Sequence, residues 1–352
     1  GADNIERRLA LIRGWQTSTL LIKNDEISTA DIKAIKDFCT RRSFDLVYYP
    51  DMPAHEANRY NQLEASYFYD ATRALLGKQR DQFLQDYKFN LEPATDDRPF
   101  HSHFVKWSSL SELIGLRHRG GGALLETGYL TLVITLLLAL LFSILLILLP
   151  LFFIRRETSR MLRYSSSLKI LSYFFSLGLG FLLMEIAFLQ KFILLLHHPI
   201  YAASVVLASF LVAAGAGSAY AQRFAGQIRS KKVNATAVSL IITLGLIYLV
   251  LLEPLMQSAG SWQLGLKILL SIALIAPLGF CMGMPFPMGL SALATSPSSL
   301  TAWAWGINGC ASVISANLAT LLAIHFGFNA VILLALAFYF AAAASFPDIK
   351  SD

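Results

Sequence analysis

Seven long runs of apolar residues dominate the second part of the chain. The first, YLTLVITLLLALLFSILLILLPLFFI, contains no charged residue. A helix that crosses a bilayer needs about 20 consecutive apolar residues, and within lipid only helices and closed barrels satisfy every backbone polar group. The pattern predicts a polytopic α-helical membrane bundle of about seven spans, at about 127–154, 169–190, 200–220, 235–253, 266–288, 302–323 and 328–346.

Residues 1–107 show a different pattern. STLLIK at 18–23 and FDLVYYP at 44–50 are short apolar segments that predict strands. Apolar side chains spaced three apart predict an amphipathic helix between them: Ile32, Ile35 and Phe38. Strand, helix and strand in this order are typical of a βαβ-type unit. One such unit is too small to bury a core, so we expect the C-terminal remnant of an α/β Rossmann-like domain.

The remaining segments complete the predicted domain plan. Residues 108–126, with glycines at 120–122, predict a flexible linker, residues 127–346 form the bundle, and residues 347–352 form a tail. The chain begins at Gly1 without an initiator methionine or a signal peptide. We therefore expect an upstream part of the same protein to carry the rest of the sheet.

Composition supports two regions with different surroundings. The 352 residues are 55% hydrophobic and only 15% charged, whereas soluble domains are about 25% charged. The net charge is +6, but the basic residues gather at the ends of apolar runs. That placement is typical of membrane flanks rather than of a nucleic-acid surface, so no nucleic acid is expected as a partner. Three cysteines show no spacing typical of a disulfide framework or a metal site: Cys39, Cys281 and Cys310.

One carboxylate interrupts the second apolar run, GLGFLLMEIAFLQKFILLLHHP, at Glu185. At the bilayer centre such a group costs about 2.5–3.5 kcal/mol on insertion scales. Ridges of small residues, which let helices approach closely, predict that it faces protein: Ser172, Ser176 and Gly180, with Ser209, Ala213 and Gly217 in the third run. Its candidate partner is a polar stripe in the sixth run: Asn308, Ser312 and Ser315. Glu185 is either a tie between helices or a substrate or proton site.

Two prolines bracket a polar turn in NLEPATDDRPFHSHF. Arg98 with Asp96 or Asp97 is a candidate ion-paired juxtamembrane latch that holds the soluble region against the membrane. A solvated loop is the alternative, because exposed ion pairs contribute little to stability.

The fifth run ends in GFCMGMPFPMGL, where Pro285 and Pro287 remove two backbone donors. Transporters use helices broken at membrane depth to form binding sites. An ordinary kink near the membrane interface is the alternative.

Seven segments in order carry a family resemblance: RGWQTSTLLIK, FDLVYYP, EANRYNQL, NLEPATDDRPFHSHF, GLGFLLMEIAFLQKFILLLHHPIYAASVVL, GMPFPMGL and AWAWGINGCASVISANLA. Together they resemble the C-terminal part of multi-pass membrane proteins with a spermidine-synthase-like domain. The resemblance implies an upstream Rossmann domain with an aminopropyltransferase-like or methyltransferase-like fold. Its expected cofactor is S-adenosylmethionine or the decarboxylated form. The resemblance implies no catalytic, cofactor-binding or metal-binding residue within this chain.

Two functions follow as expectations. The first is a membrane-bound spermidine-synthase-like transferase whose bundle anchors the domain or handles a small amine or amphipathic substrate. The alternative is a transporter-like bundle with a regulatory or vestigial soluble domain, and a structural scaffold is a third, weaker idea. In each case the expected partners are the lipid bilayer of the plasma or inner membrane and the upstream part of the protein.

The distribution of basic residues and the family resemblance predict opposite sides of the membrane for the soluble region. Ten Lys and Arg flank spans on the side away from the soluble region, and four flank spans on the side that bears it. The positive-inside rule therefore places the soluble region outside. A nucleotide-type cofactor requires it in the cytoplasm, which is the orientation we expect.

Overall fold

The computed structural model describes residues 4–109, 127–158, 164–224, 230–293 and 298–347. The chain divides into two compact units. The N-terminal unit comprises Gly1–Glu92 and Phe104–Leu116, and the bundle unit comprises Pro93–His103 and Arg117–Asp352. Most of the predicted linker and tail, residues 110–126 and 348–352, lies outside the described residues.

The N-terminal unit combines a small sheet with helices. Its elements are β1 (Leu9–Arg13), β2 (Ser18–Ile22), α1 (Thr29–Arg42), β3 (Asp45–Tyr48), α2 (Tyr67–Leu76) and α3 (Arg80–Asp86). The strand order is β2-β1-β3, and both pairings are antiparallel. Leu11 lies opposite Leu20 in β2 and Tyr48 in β3.

The predicted strand–helix–strand unit is present, but its two strands are not neighbours. β2 and β3 run in the same direction, and β1, which the sequence analysis did not identify, lies between them. The described pairings are therefore not those of a parallel Rossmann sheet, and the Rossmann-like assignment stays a prediction.

Helix α1 begins after Ser28, which is its N-cap. The Ser28 hydroxyl accepts a hydrogen bond from Asp31 N at 3.2 Å, and the Asp31 carboxylate accepts one from Ser28 N at 2.8 Å. This capping box satisfies two backbone donors that the helix leaves free. Hydrogen bonds from Lys23 and then from Ser28 keep the pKa of Asp31 well below its ordinary value. The helix packs its apolar face on the sheet around buried Cys39 and Leu46.

The bundle unit contains eight helices in its described part: α4 (Thr127–Thr158), α5 (Tyr164–Leu196), α6 (Pro199–Gln222), α7 (Ser230–Ser258), α8 (Leu264–Gly283), α9 (Pro285–Ala292), α10 (Ser298–Phe326) and α11 (Phe328–Ala344). With α8 and α9 taken as one span, six helices are long and apolar enough to cross a membrane. The predicted seventh span, α11, has only 17 residues. At 1.5 Å per residue it is about 26 Å long, shorter than the hydrocarbon core of about 30 Å.

Helix α5 is the centre of the bundle and packs against α6, α10 and α11. Four of its aromatic residues are fully buried: Tyr173, Phe174, Phe188 and Phe192. Apolar side chains on the outer helices are exposed, as Val212 at 74% and Phe340 at 67% show. Exposed apolar surface of this kind fits contact with lipid.

Both predicted ridges of small residues lie at helix contacts. Gly180 of α5 faces the Tyr339 ring of α11, and Gly217 of α6 faces the backbone of Phe280 in α8. A Cβ on Gly217 would overlap the Phe280 carbonyl oxygen, and one on Gly283 would overlap the Ala214 carbonyl. The absence of side chains at these positions lets α6 and α8 approach closely, as small residues do in membrane bundles.

Candidate functional site

The segment Pro93–His103 contains a tight turn. Arg98 N donates to Thr95 O at 2.9 Å, and Thr95 N donates to Arg98 O at 3.2 Å. These two bonds close the turn and place Asp96 and Asp97 at its tip.

Asp97 connects the turn to two helices of the bundle. Lys191 Nζ in α5 donates to Asp97 Oδ1 at 3.2 Å, and Asn329 N in α11 donates to the same oxygen at 2.9 Å. Phe328 N donates to the backbone oxygen of Asp97 at 3.1 Å. The carboxylate therefore caps α11 from another segment of the chain, where a negative charge is favourable. It also pairs the buried Lys191 amine, which would be costly to bury alone.

Gly327 makes room for this carboxylate. Its φ of +85° favours glycine, and a Cβ at this position would overlap Asp97 Oδ2. The neighbouring Phe328 ring packs against Phe100 of the segment, with ring centroids 5.7 Å apart. The start of α11 is thus shaped to receive the segment.

The latch differs from the sequence expectation in its partner. The predicted ion pair joins Arg98 to Asp96 or Asp97, whereas the ion pair at Asp97 is with Lys191. The reason is that Asp97 lies against the start of α11, beside the end of α5, while Asp96 is exposed. The alternative prediction of a solvated loop therefore holds for Asp96 but not for Asp97.

A second attachment lies at the end of the segment. Tyr129 Oη and His325 Nε2 are hydrogen-bonded at 2.9 Å. The His103 ring packs against both, with centroid distances of 4.9 Å to Tyr129 and 5.5 Å to His325. The segment Pro93–His103 is therefore joined to the helices at both its middle and its end.

A cavity of 530 Å³ adjoins Asp97. This volume lies within the range of about 300–1,000 Å³ that is typical of small-molecule sites. The apolar part of its lining comes from α5 and α7 and includes Leu194, Leu195, Leu252 and Met256. The polar part comprises Asp96, Asp97, Lys191, His197, Glu253 and Gln257.

The lining carries an excess of negative charge. Among its described residues, three carboxylates face one lysine, and that lysine is paired with Asp97. In the described part of the chain, neither the Asp96 nor the Glu253 carboxylate forms an ion pair or a side-chain hydrogen bond. The site therefore favours a cationic ligand. Lys191 and Glu253 are not among the predicted site residues, because in the sequence only their position at span ends distinguishes them.

Glu185 is buried, with 6% exposure, in agreement with the expectation that it faces protein. Its carboxyl makes no hydrogen bond with any residue that the structure describes. The polar stripe contacts the same helix at other positions. Asn308 Nδ2 donates to Phe174 O at 3.2 Å and Ser315 Oγ to Leu179 O at 2.9 Å, while Ser312 Oγ bonds within its own helix.

The expected helix pairing is thus present, but the expected residue pairing is not. Glu185 lies six residues beyond Leu179, which is roughly 9 Å further along the helix. The stripe therefore joins α5 and α10 through backbone carbonyls. A substrate or proton role for Glu185 stays a prediction.

The fifth span is interrupted at Met284, between α8 and α9. Tyr173 Oη donates to Pro285 O at 2.6 Å and lies 3.1 Å from the Asn234 side chain. The interruption is packed within protein and contributes no residue to the 530 Å³ cavity.

Comparison with known proteins gives no match: no family model, no curated protein and no solved structure is significantly similar to this chain.

The N-terminal unit has its own buried ion pair, which the sequence analysis missed. Arg13 Nη2 lies 3.5 Å from Asp45 Oδ2, and Asp45 accepts backbone hydrogen bonds from Arg59, Tyr60 and Asn61 at 2.7–2.8 Å. Arg13 also donates to the backbone oxygen of Asn61. Burial acts to raise the pKa of Asp45, but the hydrogen bonds outweigh it and keep that pKa below its ordinary value. In the sequence, the only sign of this ion pair is the position of its two residues, because Arg13 ends strand β1 and Asp45 begins strand β3.

Proposed function

We propose that this chain is the C-terminal part of a membrane-bound spermidine-synthase-like transferase. In this proposal an upstream Rossmann domain performs aminopropyl or methyl transfer with S-adenosylmethionine or its decarboxylated form. The bundle anchors that domain and handles its substrate. The ordered motifs of the sequence carry the resemblance on which the proposal is based, and six helices able to cross a membrane support the anchoring role.

One observation carries the view that the bundle is more than an anchor. The chain leaves the N-terminal unit at Glu92, enters the bundle unit for Pro93–His103, and returns at Phe104. Within the bundle unit Asp97 fixes this segment beside a 530 Å³ cavity. Anchoring alone requires apolar spans and neither a buried ion pair nor a cavity. A substrate-handling role accounts for both.

The test is turnover by the full-length protein in lipid nanodiscs. We expect consumption of S-adenosylmethionine or its decarboxylated form, and we expect none from the chain of residues 1–352. Binding of either compound is measured in parallel by calorimetry. If the full-length protein binds neither compound, the proposal is wrong.

The proposal also places the soluble region in the cytoplasm, where its cofactor is available. Cys39 is a poor reporter of this orientation, because burial and then the Asp45 charge raise the pKa of its thiol to about 11. An introduced cysteine at exposed Lys33 on α1 is the better probe.

We expect a membrane-impermeant maleimide to label Lys33→Cys in inverted vesicles and not in intact cells. The parent chain, which retains Cys39, is the control for background labelling. Labelling of the variant in intact cells would support the outside orientation that the charge count favours.

A transporter-like bundle is the second candidate, and Glu185 favours it. This carboxyl is buried in a membrane span without a hydrogen-bond partner in the described part of the chain. Ionisable groups in such positions usually serve transport or proton transfer. Under this alternative, Glu185→Gln abolishes proton or cation flux in proteoliposomes. Flux that the substitution leaves unchanged would count against it.

A further inference from the structure

The cavity beside Asp97 combines two kinds of lining. Leu195 and Leu252 are buried apolar side chains, and Met256 is partly buried. Asp96 and Glu253 are exposed carboxylates. A ligand that fills this cavity must therefore present both an apolar part and a group that suits negative charge.

The charges of the lining select a cation over an anion. Among the described residues of the lining, Lys191 is the only lysine or arginine, and its amine already binds Asp97 at 3.2 Å. Asp97 in turn accepts a hydrogen bond from Asn329 N. Asp96 and Glu253 remain uncompensated within the described part of the chain. An anion would meet two carboxylates of the same charge, whereas a cation would meet two of opposite charge.

The position of the cavity selects an amphipathic ligand. Lys191 to Leu195 form the last turns of α5, and Glu253 and Met256 lie in the last turns of α7. Ends of spans of this kind lie at the boundary of lipid and water, where molecules with an apolar tail and a charged head are concentrated.

We propose that this cavity binds an amphipathic organic cation, a primary amine with an apolar tail. The ammonium group lies near Asp96 and Glu253, and the tail packs against Leu195 and Leu252. This proposal names a ligand class for the bundle. It rests on the proposed function in one respect, because it takes the ligand to be the substrate that the bundle handles.

The experiment is calorimetric titration of the chain in lipid nanodiscs with n-hexylamine, and heats from empty nanodiscs correct for partitioning into lipid. We expect saturable binding that is weaker for n-butylamine, by up to about fourfold per methylene removed. Hexanoate has a matched tail with a negative head, and we expect it not to bind. Equal binding of hexanoate and hexylamine would overturn the proposal.

Matched variants locate the site. The double variant Asp96→Asn with Glu253→Gln keeps side-chain size and removes both charges, and we expect it to weaken hexylamine binding at least about tenfold. Glu64→Gln makes the same change at an exposed residue of the N-terminal unit, and we expect no effect. Both altered positions are exposed, so the fold should survive, and size-exclusion chromatography checks this. Unchanged binding by the double variant contradicts the proposal.

The binding experiment and the test of the proposed function can fail independently. Turnover of S-adenosylmethionine by the full-length protein without hexylamine binding here rejects only the cavity assignment. Hexylamine binding that the double variant loses, with no cofactor binding by the full-length protein, rejects only the transferase.

Discussion

Asp97 and Lys191 are 94 residues apart in the sequence, and their side chains meet at 3.2 Å. The same carboxylate oxygen accepts a hydrogen bond from Asn329 N, at 2.9 Å. One carboxylate thus joins the Pro93–His103 segment, the end of α5 and the start of α11. Because Lys191 is buried, the carboxylate also removes the cost of burying an unpaired amine.

Asp97→Asn tests the charge of this contact, because the amide retains an oxygen that can accept from Asn329 N. We expect the free energy of unfolding to fall by about 1–3 kcal/mol, since Lys191 loses its counter-charge. Thermal unfolding of the detergent-purified protein measures the change. Asp96→Asn, one residue away and exposed, should leave the midpoint unchanged.

Lys191→Met completes a double-mutant cycle with Asp97→Asn. We expect the two substitutions together to cost less than the sum of their separate effects, with a coupling of about 1 kcal/mol or more. Additive effects would mean that the ion pair contributes nothing to stability.

Gly327→Ala tests the fit of the carboxylate against the start of α11. The added Cβ would overlap Asp97 Oδ2, and a φ of +85° is unfavourable for alanine. We expect a loss of about 1–3 kcal/mol in unfolding free energy. Gly306→Ala is the control, because its Cβ would meet no atom within 4 Å. Equal stability of the two variants would contradict the close contact.

Gly217→Ala tests the contact between α6 and α8. Its Cβ would overlap the Phe280 carbonyl oxygen, so the two backbones must separate. We expect a loss of about 1–3 kcal/mol. Gly215→Ala makes the same change in the same helix where a Cβ would meet nothing within 4 Å, and it should be neutral or slightly stabilising. If Gly215→Ala lowered the stability and Gly217→Ala did not, Gly215 rather than Gly217 would be the residue that faces α8.

The Asp45 carboxylate makes the stability of the N-terminal unit depend on pH. Its pKa is lowered in the folded state, so on acidification the unfolded chain binds the proton first. The stabilisation is fully present above the ordinary aspartate pKa of about 3.9 and is lost as the pH falls through the folded-state pKa. We expect Asp45→Asn to remove this part of the acid sensitivity.

The buried Cys39 thiol provides the measurement for Asp45. With Cys281 and Cys310 replaced by alanine, reaction of Cys39 with dithiodipyridine, which remains active in acid, reports opening of the N-terminal unit. The parent should open more readily from pH 5 to pH 3, with a smaller change for Asp45→Asn. Parallel pH profiles would show that Asp45 does not contribute.

Several features follow from the sequence because their causes are local. Ser28 caps α1 through Asp31, only three residues away. The apolar runs predict helices because a spanning segment must satisfy its own backbone, and six of them meet the length that a membrane requires. The ridge that ends at Gly217 predicts a close helix contact, because small residues four apart share one face.

Other features depend on which segments meet in space. β1 lies between the two predicted strands, and the length of α11 depends on where Asp97 caps it. Asn308 and Ser315 bond to Phe174 O and Leu179 O rather than to Glu185. The spacing of residues in the sequence does not determine how far two packed helices are shifted relative to each other along their axes.

By itself, the sequence determined the helices that are long and apolar enough to cross a membrane, the start of α1 and the faces on which helices pack closely. Those properties arise from hydrophobic periodicity and from hydrogen bonds between residues within a few positions of each other. Only the tertiary structure decided that Lys191 is the partner of Asp97, and that a cavity with uncompensated carboxylates lies beside them. Ion pairs and cavities form between segments distant in sequence, and their geometry is set by packing of the whole bundle.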